Sequence, residues 1–255
     1  MSAYLNLGCG SCYHEDWVNV DLYDSDHVMR HDLYGGLPFE PETFDAVYAA
    51  HLLEHLYRFY VPILLGECRR VMKTGGIIRI VVPDLEGAVR SYLEALEGAT
   101  DTPPYRAACD RYEWTVIELI DQLCRQRSGG EMLDYWKRNP IPAEEYVVER
   151  CGYEAYHTIE SLRKGGHRPL EWPRQPSTED LSPESIGEFR AGGQVHLWMY
   201  DRYSLRKLME EAGFKETSRL DYNQSQIPDF RAYRLDEMDD GTERKPDSIY
   251  FEGVK

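Results

Sequence analysis

The stretch Tyr4-Leu5-Asn6-Leu7-Gly8-Cys9-Gly10 decides the fold, because it is a short apolar run that ends at two glycines. A second apolar run begins at Trp17 and ends at Asp21. A strand, a glycine turn and a strand that ends in a carboxylate are typical of a nucleotide site. The glycines let the backbone come close to a ligand, and the acid accepts hydrogen bonds from ribose hydroxyls. The same residues also fit a simple tight turn, so the rest of the chain has to decide.

The composition is that of an ordinary globular protein, with 255 residues, 42% of them hydrophobic and 29% charged. The length suits one large domain or one domain with an insertion. A net charge of −16 argues against a nucleic-acid substrate, because a polyanion would be repelled. The sequence has no apolar run of about 18 residues and no basic, then apolar, leader, so we expect a cytoplasmic protein with no membrane segment.

Strands and connectors alternate through the first third of the chain, which predicts an α/β fold with a doubly wound, mostly parallel sheet. The predicted strands are residues 3–7, 17–21, 26–30, 44–50 and 77–82. An amphipathic helix over 57–72 should precede the glycines at 75 and 76. Too few residues separate Gly10 from Asp21 for a full crossover, so residues 11–16 should form a loop or a very short helix.

The pattern changes after this region, where helical periodicity predicts a largely helical insertion after the fifth strand, over residues 87–195. Within it, residues 165–194 are rich in Pro, Gly, Ser and Glu and are predicted to form a long loop. The core, residues 1–86 and 196–255, resumes with a helix over 201–212 and strands near 214–220 and 248–254. The acidic link 236–243 is interpreted as a solvated loop.

Polar residues and glycines collect at the predicted strand ends, where ligands of such sheets bind. They are Gly8, Gly10, Asp21, Asp32, His51 and Asp84.

Several segments occur together in an order that resembles class I S-adenosylmethionine-dependent methyltransferases of the type 11 group. The segments are LNLGCG, WVNVD, LPFEPETFDAVYAAHLLEHL, ECRRVMKTGGIIRIVVPDL and HLWMYDRYSLRKLMEEAGF. The resemblance covers about residues 3–86 and 196–255, and it implies a Rossmann-like fold and S-adenosyl-L-methionine as the cofactor.

The resemblance also implies roles for individual residues. Gly8, Cys9 and Gly10 would contact the methionine end of the cofactor, and Asp21 would hold the ribose. Asp32 would approach the adenine amine, Leu33 would pack on the ring or donate its N–H, and His51 would face both cofactor and acceptor. This chain departs from the family pattern at Asn6, where an acid is usual, at Cys12, where a third glycine is usual, and in its short segment 11–16.

Methyl transfer to a small-molecule or sugar-like acceptor is the activity we expect, at oxygen rather than nitrogen or carbon. A hydroxyl acceptor must lose a proton, and histidine is a suitable base near neutral pH. His51 is the first candidate, and His196 is the second, because it lies where the insertion rejoins the core. The insertion would cap the acceptor site.

Two other functions remain open from the sequence. The chain could be a non-catalytic S-adenosylmethionine-binding protein on the same fold. It could also be a zinc hydrolase, because His51, Glu54 and His55 spell H-x-x-E-H. Since HLLEHL follows a predicted strand as in many methyltransferases, we expect no metal. NAD is disfavoured because Tyr13 occupies the last glycine position of GxGxxG.

Overall fold

A computed structural model describes residues 3–101, 103, 105–165 and 182–255 of the chain. The chain forms two compact units. The first comprises Met1–Asp84, Trp198–Glu243 and Ser248–Lys255, and the second comprises Leu85–Leu197 and Arg244–Asp247. In the described part of the chain, the helices are all too short or too polar to cross a membrane.

The first unit is built on a seven-stranded sheet. Its strands are β1 (Tyr4–Leu7), β2 (Val18–Asp21), β3 (Val28–Arg30), β4 (Phe44–Ala50), β5 (Met72–Pro83), β6 (Lys215–Leu220) and β7 (Ser248–Val254). The strand order is β3-β2-β1-β4-β5-β7-β6, and the sheet is parallel except that β7 runs antiparallel to β5 and β6. The predicted mostly parallel α/β sheet is confirmed. The order reverses between β1 and β4, and ligands of open α/β sheets bind beside such a switch point.

The helices, in chain order, are α1 (Val61–Val71), α2 (Leu85–Thr100), α3 (Arg106–Cys124), α4 (Gly130–Trp136), α5 (Glu144–Cys151), α6 (Tyr153–Arg163), α7 (Pro183–Ala191) and α8 (Arg202–Glu211). Helix α1 begins four residues later than the prediction, with Pro62 in its first turn. A proline is tolerated there because the N–H it lacks has no helical partner at that position. The glycines at 75 and 76 do not separate α1 from a strand as expected; they lie inside β5, where its register with β4 shifts.

The two faces of the sheet are covered differently. One face packs against α1 and α8 and includes Leu5, Val47, Ile80 and Phe251. The other face includes Tyr4, Ala46, Tyr48, Val81 and Tyr250, and it packs against Trp17 and residues of the β6–β7 connection. The apolar side chains of β1, β4, β5 and β7 therefore alternate between two buried layers, as expected for inner strands.

The second unit is helical, and its core is rich in aromatic side chains. Trp114 of α3 is fully buried and packs on Tyr135 and Trp136 of α4, with ring centroids 5.3 Å and 5.9 Å away. The predicted loop over 165–194 is wrong for Pro183–Ala191, which form α7, because Ser182 caps it by accepting a hydrogen bond from the Ser185 N–H. The part of that predicted loop over 166–181 lies outside the described residues.

Candidate active site

The glycine turn after β1 is fastened to the end of β2. The N–H groups of Gly8 and Cys9 both donate to the Val20 carbonyl, at 2.9 Å and 3.3 Å. The Gly10 N–H donates to Oδ2 of Asp21 at 2.8 Å. Gly8 and Gly10 have φ values of +62° and +51°, a conformation that glycine adopts without a steric penalty. The chain therefore turns sharply here, and its own carbonyl and carboxylate satisfy the turn's donors.

The two glycines are required for different reasons. A Cβ on Gly8 would lie 2.8 Å from Cδ1 of Leu52, which follows β4 across the switch point. A Cβ on Gly10 would have Tyr23 Oη as its nearest neighbour, at 3.7 Å, which is ordinary contact. Gly8 therefore lets β1 and the end of β4 pack together, whereas the space beside Gly10 is open enough for a ligand to approach.

Two asparagine side chains form hydrogen bonds with backbone carbonyls of the short β1–β2 connection. Asn6 and Asn19 are paired in register on β1 and β2, and the amide of Asn6 donates to Asn19 Oδ1 at 3.2 Å. The Asn19 amide donates to the carbonyls of His14 and Trp17, both at 2.9 Å. The prediction of a loop over 11–16 is confirmed, since the structure assigns no helix there. The side-chain amides of buried asparagines, rather than a helix, therefore form hydrogen bonds with the backbone carbonyls of this segment.

Asp21 is buried at the carboxyl end of β2, and both of its oxygens accept backbone hydrogen bonds. Oδ1 accepts from the Leu22 N–H at 2.6 Å, and Oδ2 accepts from Gly10. Each carboxylate oxygen has a second lone pair, so capacity remains for two ligand hydroxyls. Burial, and next to it the negative charge of Asp21, raises the pKa of the Tyr23 hydroxyl and of the Cys9 thiol to about 12. Both groups are therefore neutral near pH 7.

The residues predicted to meet an adenine ring lie in and beside a short 3₁₀-helix, Leu33–Gly35. Asp32 is exposed and caps this turn by accepting the Tyr34 N–H at 3.0 Å. The Leu33 side chain is buried in the main core, and its carbonyl accepts from the Tyr60 hydroxyl at 2.6 Å. Tyr34 is the exposed aromatic residue here, with its ring 4.6 Å from that of Tyr60.

His51 follows β4 directly and has a φ of +51°, which is uncommon for a residue with a side chain. Its N–H donates to the Val81 carbonyl at 2.9 Å, which ties this turn to β5. On the ring, Nε2 lies 2.9 Å from Oγ of Ser248, and Nδ1 lies 3.3 Å from Oε1 of Glu54. The Glu54 side chain is fully buried. The imidazole therefore lies between a hydroxyl and a carboxyl group at the carboxyl end of β4.

Comparison with known families finds a match over this part of the chain. Residues 17–80, from the start of β2 into β5, match a family profile described as a methyltransferase domain. Over this part of the chain, the protein is similar to methyltransferase domains. Its seven-stranded sheet has the Rossmann-like, doubly wound strand order. No curated protein sequence matches the chain.

Solved structures of several methyltransferases resemble the chain distantly. One is an S-adenosylmethionine-dependent methyltransferase from Archaeoglobus fulgidus, at 12% identity and a TM-score of 0.40, with 100% of this chain and 86% of that chain covered. Another is a possible histamine N-methyltransferase from Thermotoga maritima, at 11% identity and a TM-score of 0.40, covering 100% and 82%. A third is a putative methyltransferase from Haloferax volcanii in complex with the Trm112 activator, at 13% identity and 0.40, covering 99% and 82%.

The residues predicted to bind the cofactor offer acceptors more than donors. The N–H groups of Gly8, Cys9 and Gly10 already donate hydrogen bonds within the protein. The turn would therefore let a ligand approach the backbone closely without donating hydrogen bonds to it. Asp21 has lone pairs for ribose hydroxyls. Oδ1 of Asn6 is buried and accepts no hydrogen bond from the described residues, so it suits a donor such as the cofactor's ammonium group. These residues fit S-adenosylmethionine, and they include the atypical Asn6.

His51 and His55 do not share the α-helix on which an H-x-x-E-H zinc site depends. Two histidines four residues apart share a face when they lie on one α-helix. His51 lies in a bend with a positive φ, and Leu53–His55 form one turn of 3₁₀-helix. His196, the second predicted base, lies in the second unit, where it is buried and its N–H donates to the Gln122 carbonyl at 2.9 Å.

Ser248 is the residue of the candidate site that the sequence analysis missed. It pairs with Pro83 because β7 runs antiparallel to β5, so the start of β7 lies at the carboxyl edge of the parallel strands. The sequence places Ser248 at the start of the last strand. An antiparallel direction for that strand would have indicated that Ser248 lies near His51.

Proposed function

We propose that the protein transfers the methyl group of S-adenosylmethionine to an oxygen of a small-molecule or sugar-like acceptor, with His51 as the general base. The proposal rests on the imidazole held between Ser248 Oγ and the Glu54 carboxyl group at the end of β4. A strained backbone conformation at a strand end is typical of functional residues, and His51 has one.

The ring nitrogens of His51 have different tasks in this mechanism. A carboxylate at Glu54 favours the proton on Nδ1, which leaves the lone pair on Nε2. In this tautomer and without an acceptor, the Ser248 hydroxyl is the donor in its 2.9 Å contact with Nε2. An acceptor hydroxyl then takes the place of Ser248 and gives its proton to Nε2 as the new carbon–oxygen bond forms.

The remaining chemistry is displacement at carbon. When bound, S-adenosylmethionine supplies a methyl carbon on a positively charged sulfur, which leaves as the neutral thioether. The protein has to hold the acceptor oxygen about 3–3.5 Å from that carbon and in line with the breaking bond. Leu52 packs against Gly8, so the residue after His51 touches the turn assigned to the methionine end of the cofactor. This neighbourhood supports His51, rather than His196, as the base.

The helical unit as a cap over the acceptor site stays a prediction of the sequence. Its core is made of aromatic side chains that pack on one another, among them Trp114 and Tyr135. These core residues are therefore assigned to stability, and the acceptor would have to meet other residues of the unit.

The experiment that tests this function measures S-adenosylhomocysteine formation against a panel of phenols, catechols and methyl glycosides. We expect His51→Ala to lower turnover by about 10²- to 10⁴-fold, the usual contribution of a general base, without weakening S-adenosylhomocysteine binding. The matched control is His27→Ala, which removes an exposed histidine of the same unit. Unchanged turnover in His51→Ala would contradict the proposal. Tight cofactor binding with no turnover on any probe would favour the non-catalytic alternative.

A further inference from the structure

The β1–β2 connection leaves part of the sheet without its usual cover. In a dinucleotide-binding fold, a helix follows the glycine turn, covers one face of the sheet and presents its N-terminus to the ligand. Here the structure assigns no helix between β1 and β2. The face concerned carries the buried side chains of Tyr4, Asn6 and Tyr48.

Residues 222–236, which we name the covering segment, occupy that face. They belong to the connection between β6 and β7 and include a 3₁₀-helix, Phe230–Tyr233. Ile227, Phe230 and Leu235 are buried there in one cluster with Tyr4 and Tyr48. The Phe230 ring lies 5.6 Å from that of Tyr48. An apolar segment from the C-terminal part of the chain therefore does the packing that a crossover helix does elsewhere.

The covering segment also contacts the short β1–β2 connection directly. The Tyr233 ring lies 5.0 Å from His14, 5.4 Å from Trp17 and 5.8 Å from Tyr4. All three are edge-on contacts, the arrangement that aromatic pairs prefer. Tyr233 thus packs against one ring that precedes the glycine turn in sequence and against two rings that follow it.

Cys12 links the covering segment to the turn itself. Its Sγ donates to the Leu235 carbonyl at 3.3 Å. Its N–H donates to the Cys9 carbonyl at 2.9 Å, and its carbonyl accepts from the Asn6 amide at 3.2 Å. A shift of Leu235 would therefore displace Cys12, and through it Cys9 in the middle of the turn.

A buried ionic network fixes the covering segment to the central strands. Asp236 accepts from the Tyr48 hydroxyl and, at 2.7 Å, from Nε of Arg79. The fully buried Arg79 also donates to Glu252 at 3.0 Å and to the Gln224 carbonyl at 2.8 Å. The segment is thus anchored at both ends, because Asp236 and Gln224 bind the same guanidinium.

We infer that the covering segment is a positioning element for the cofactor site: it replaces the first crossover helix and, through Leu235 and Tyr233, sets the conformation of the glycine turn. Cofactor affinity is therefore governed partly by residues 222–236, far from the turn in sequence. The inference concerns cofactor binding alone, so it stands or falls independently of the acceptor and of His51.

The test measures S-adenosylhomocysteine affinity by calorimetry in two pairs of variants. Cys12→Ala removes the donor to Leu235, and Cys12→Ser keeps a hydroxyl donor. Tyr233→Ala removes the ring from its aromatic neighbours, and Tyr233→Phe keeps it. We expect each alanine variant to bind about tenfold more weakly, a usual size for coupling between sites, and each conservative variant to bind like wild type. Amide exchange of Gly8 to Cys12 in the ligand-free protein should be faster in the alanine variants.

Met209→Ala controls for a general loss of stability. Met209 is fully buried on the opposite face of the sheet, so its truncation should destabilise the unit without weakening cofactor binding. Wild-type affinity and unchanged amide exchange in Tyr233→Ala and Cys12→Ala would overturn the inference. So would an equal loss of affinity in Met209→Ala. If Cys12→Ala does not fold, the Tyr233 pair decides the matter alone, since Tyr233 is only half-buried.

Discussion

The backbone N–H of Gly10 donates a hydrogen bond of 2.8 Å to Oδ2 of Asp21, so the acid assigned to the cofactor ribose also holds the glycine turn closed. The same carboxylate accepts the N–H of Leu22 through Oδ1. Two features of the predicted cofactor site, a shaped turn and a ribose acceptor, therefore depend on one side chain. Hydrogen bonds to an ionised group are worth about 1.5–3 kcal/mol each, more than those between neutral groups.

We predict that Asp21→Asn weakens S-adenosylhomocysteine binding by about 10- to 100-fold, because the amide keeps one acceptor oxygen and lacks the charge. Asp21→Ala should weaken it further, since it also releases the Gly10 N–H. Isothermal titration calorimetry measures both, with Asp24→Asn as the matched control for an exposed acid near the same strand end. Equal binding by Asp21→Ala and wild type would remove Asp21 from the cofactor site.

The two glycines of the turn should respond differently to alanine. In Gly8→Ala, the positive φ and the 2.8 Å approach to Leu52 act together, and we expect a loss of about 2–4 kcal/mol in unfolding free energy. In Gly10→Ala only the φ of +51° is unfavourable, so the loss should be about 1–2 kcal/mol.

The Gly8→Ala and Gly10→Ala variants should also differ in cofactor affinity. Gly10→Ala should bind S-adenosylhomocysteine much more weakly than its modest loss of stability suggests, because the new methyl group enters the open space beside Tyr23. Urea unfolding and calorimetry give the two quantities. Equal losses of stability in both variants would show that Leu52 does not limit the space at Gly8.

The sequence predicted those parts of the candidate site that lie at the ends of short apolar strands. The run 4–7 before Gly8, the acid at the end of 18–21 and the strand before His51 are short apolar segments whose ends are visible in the sequence. Because parallel strands place their carboxyl ends at one edge, these residues could be assigned to a common site.

The contacts that complete the site are long-range, and no local pattern encodes them. Asp236 begins an acidic link that was interpreted as solvated, and for this residue the prediction is wrong: it is buried against Arg79 of β5. The sequence did hold a sign of this ion pair at Arg79, since an arginine inside an apolar inner strand requires a buried acid. The sequence could not indicate which of the many acidic residues it would be.

Thiol labelling should separate the six cysteines by burial. Burial, and next to it the charge of Asp21, raises the Cys9 pKa to about 12, and burial raises that of Cys68 to about 12 as well. Since the thiolate is the reactive species, both should stay unlabelled in the native protein at pH 8. Cys109 and Cys124 are exposed and should react first. Peptide mass spectrometry after brief iodoacetamide treatment reads this out, and labelling in urea is the control. Rapid labelling of Cys9 would contradict both the burial of this thiol and its raised pKa.

Stability below pH 5 should depend on Glu67 of α1. Its carboxylate accepts from Arg70 Nε at 2.8 Å and from the Leu37 N–H at 3.0 Å, which ties the helix to the loop before β4. The Arg70 guanidinium, and with it the Leu37 N–H, lowers the Glu67 pKa from 4.5 to about 2. Because the folded state holds this proton less tightly than the unfolded state, the stabilisation is complete above pH 4.5 and disappears as the pH falls towards 2.

We therefore predict that Glu67→Gln lowers the free energy of unfolding at pH 7 by about 1 kcal/mol, a value reduced for the partial solvent exposure of the pair. The difference from wild type should shrink between pH 4.5 and pH 2, the interval over which the folded carboxylate becomes protonated. Urea unfolding across this range gives the comparison. The control is Glu94→Gln, which neutralises an exposed acid on α2 and should follow wild type at each pH. A Glu67→Gln deficit that stays constant down to pH 2 would show that the ion pair with Arg70 does not stabilise the fold.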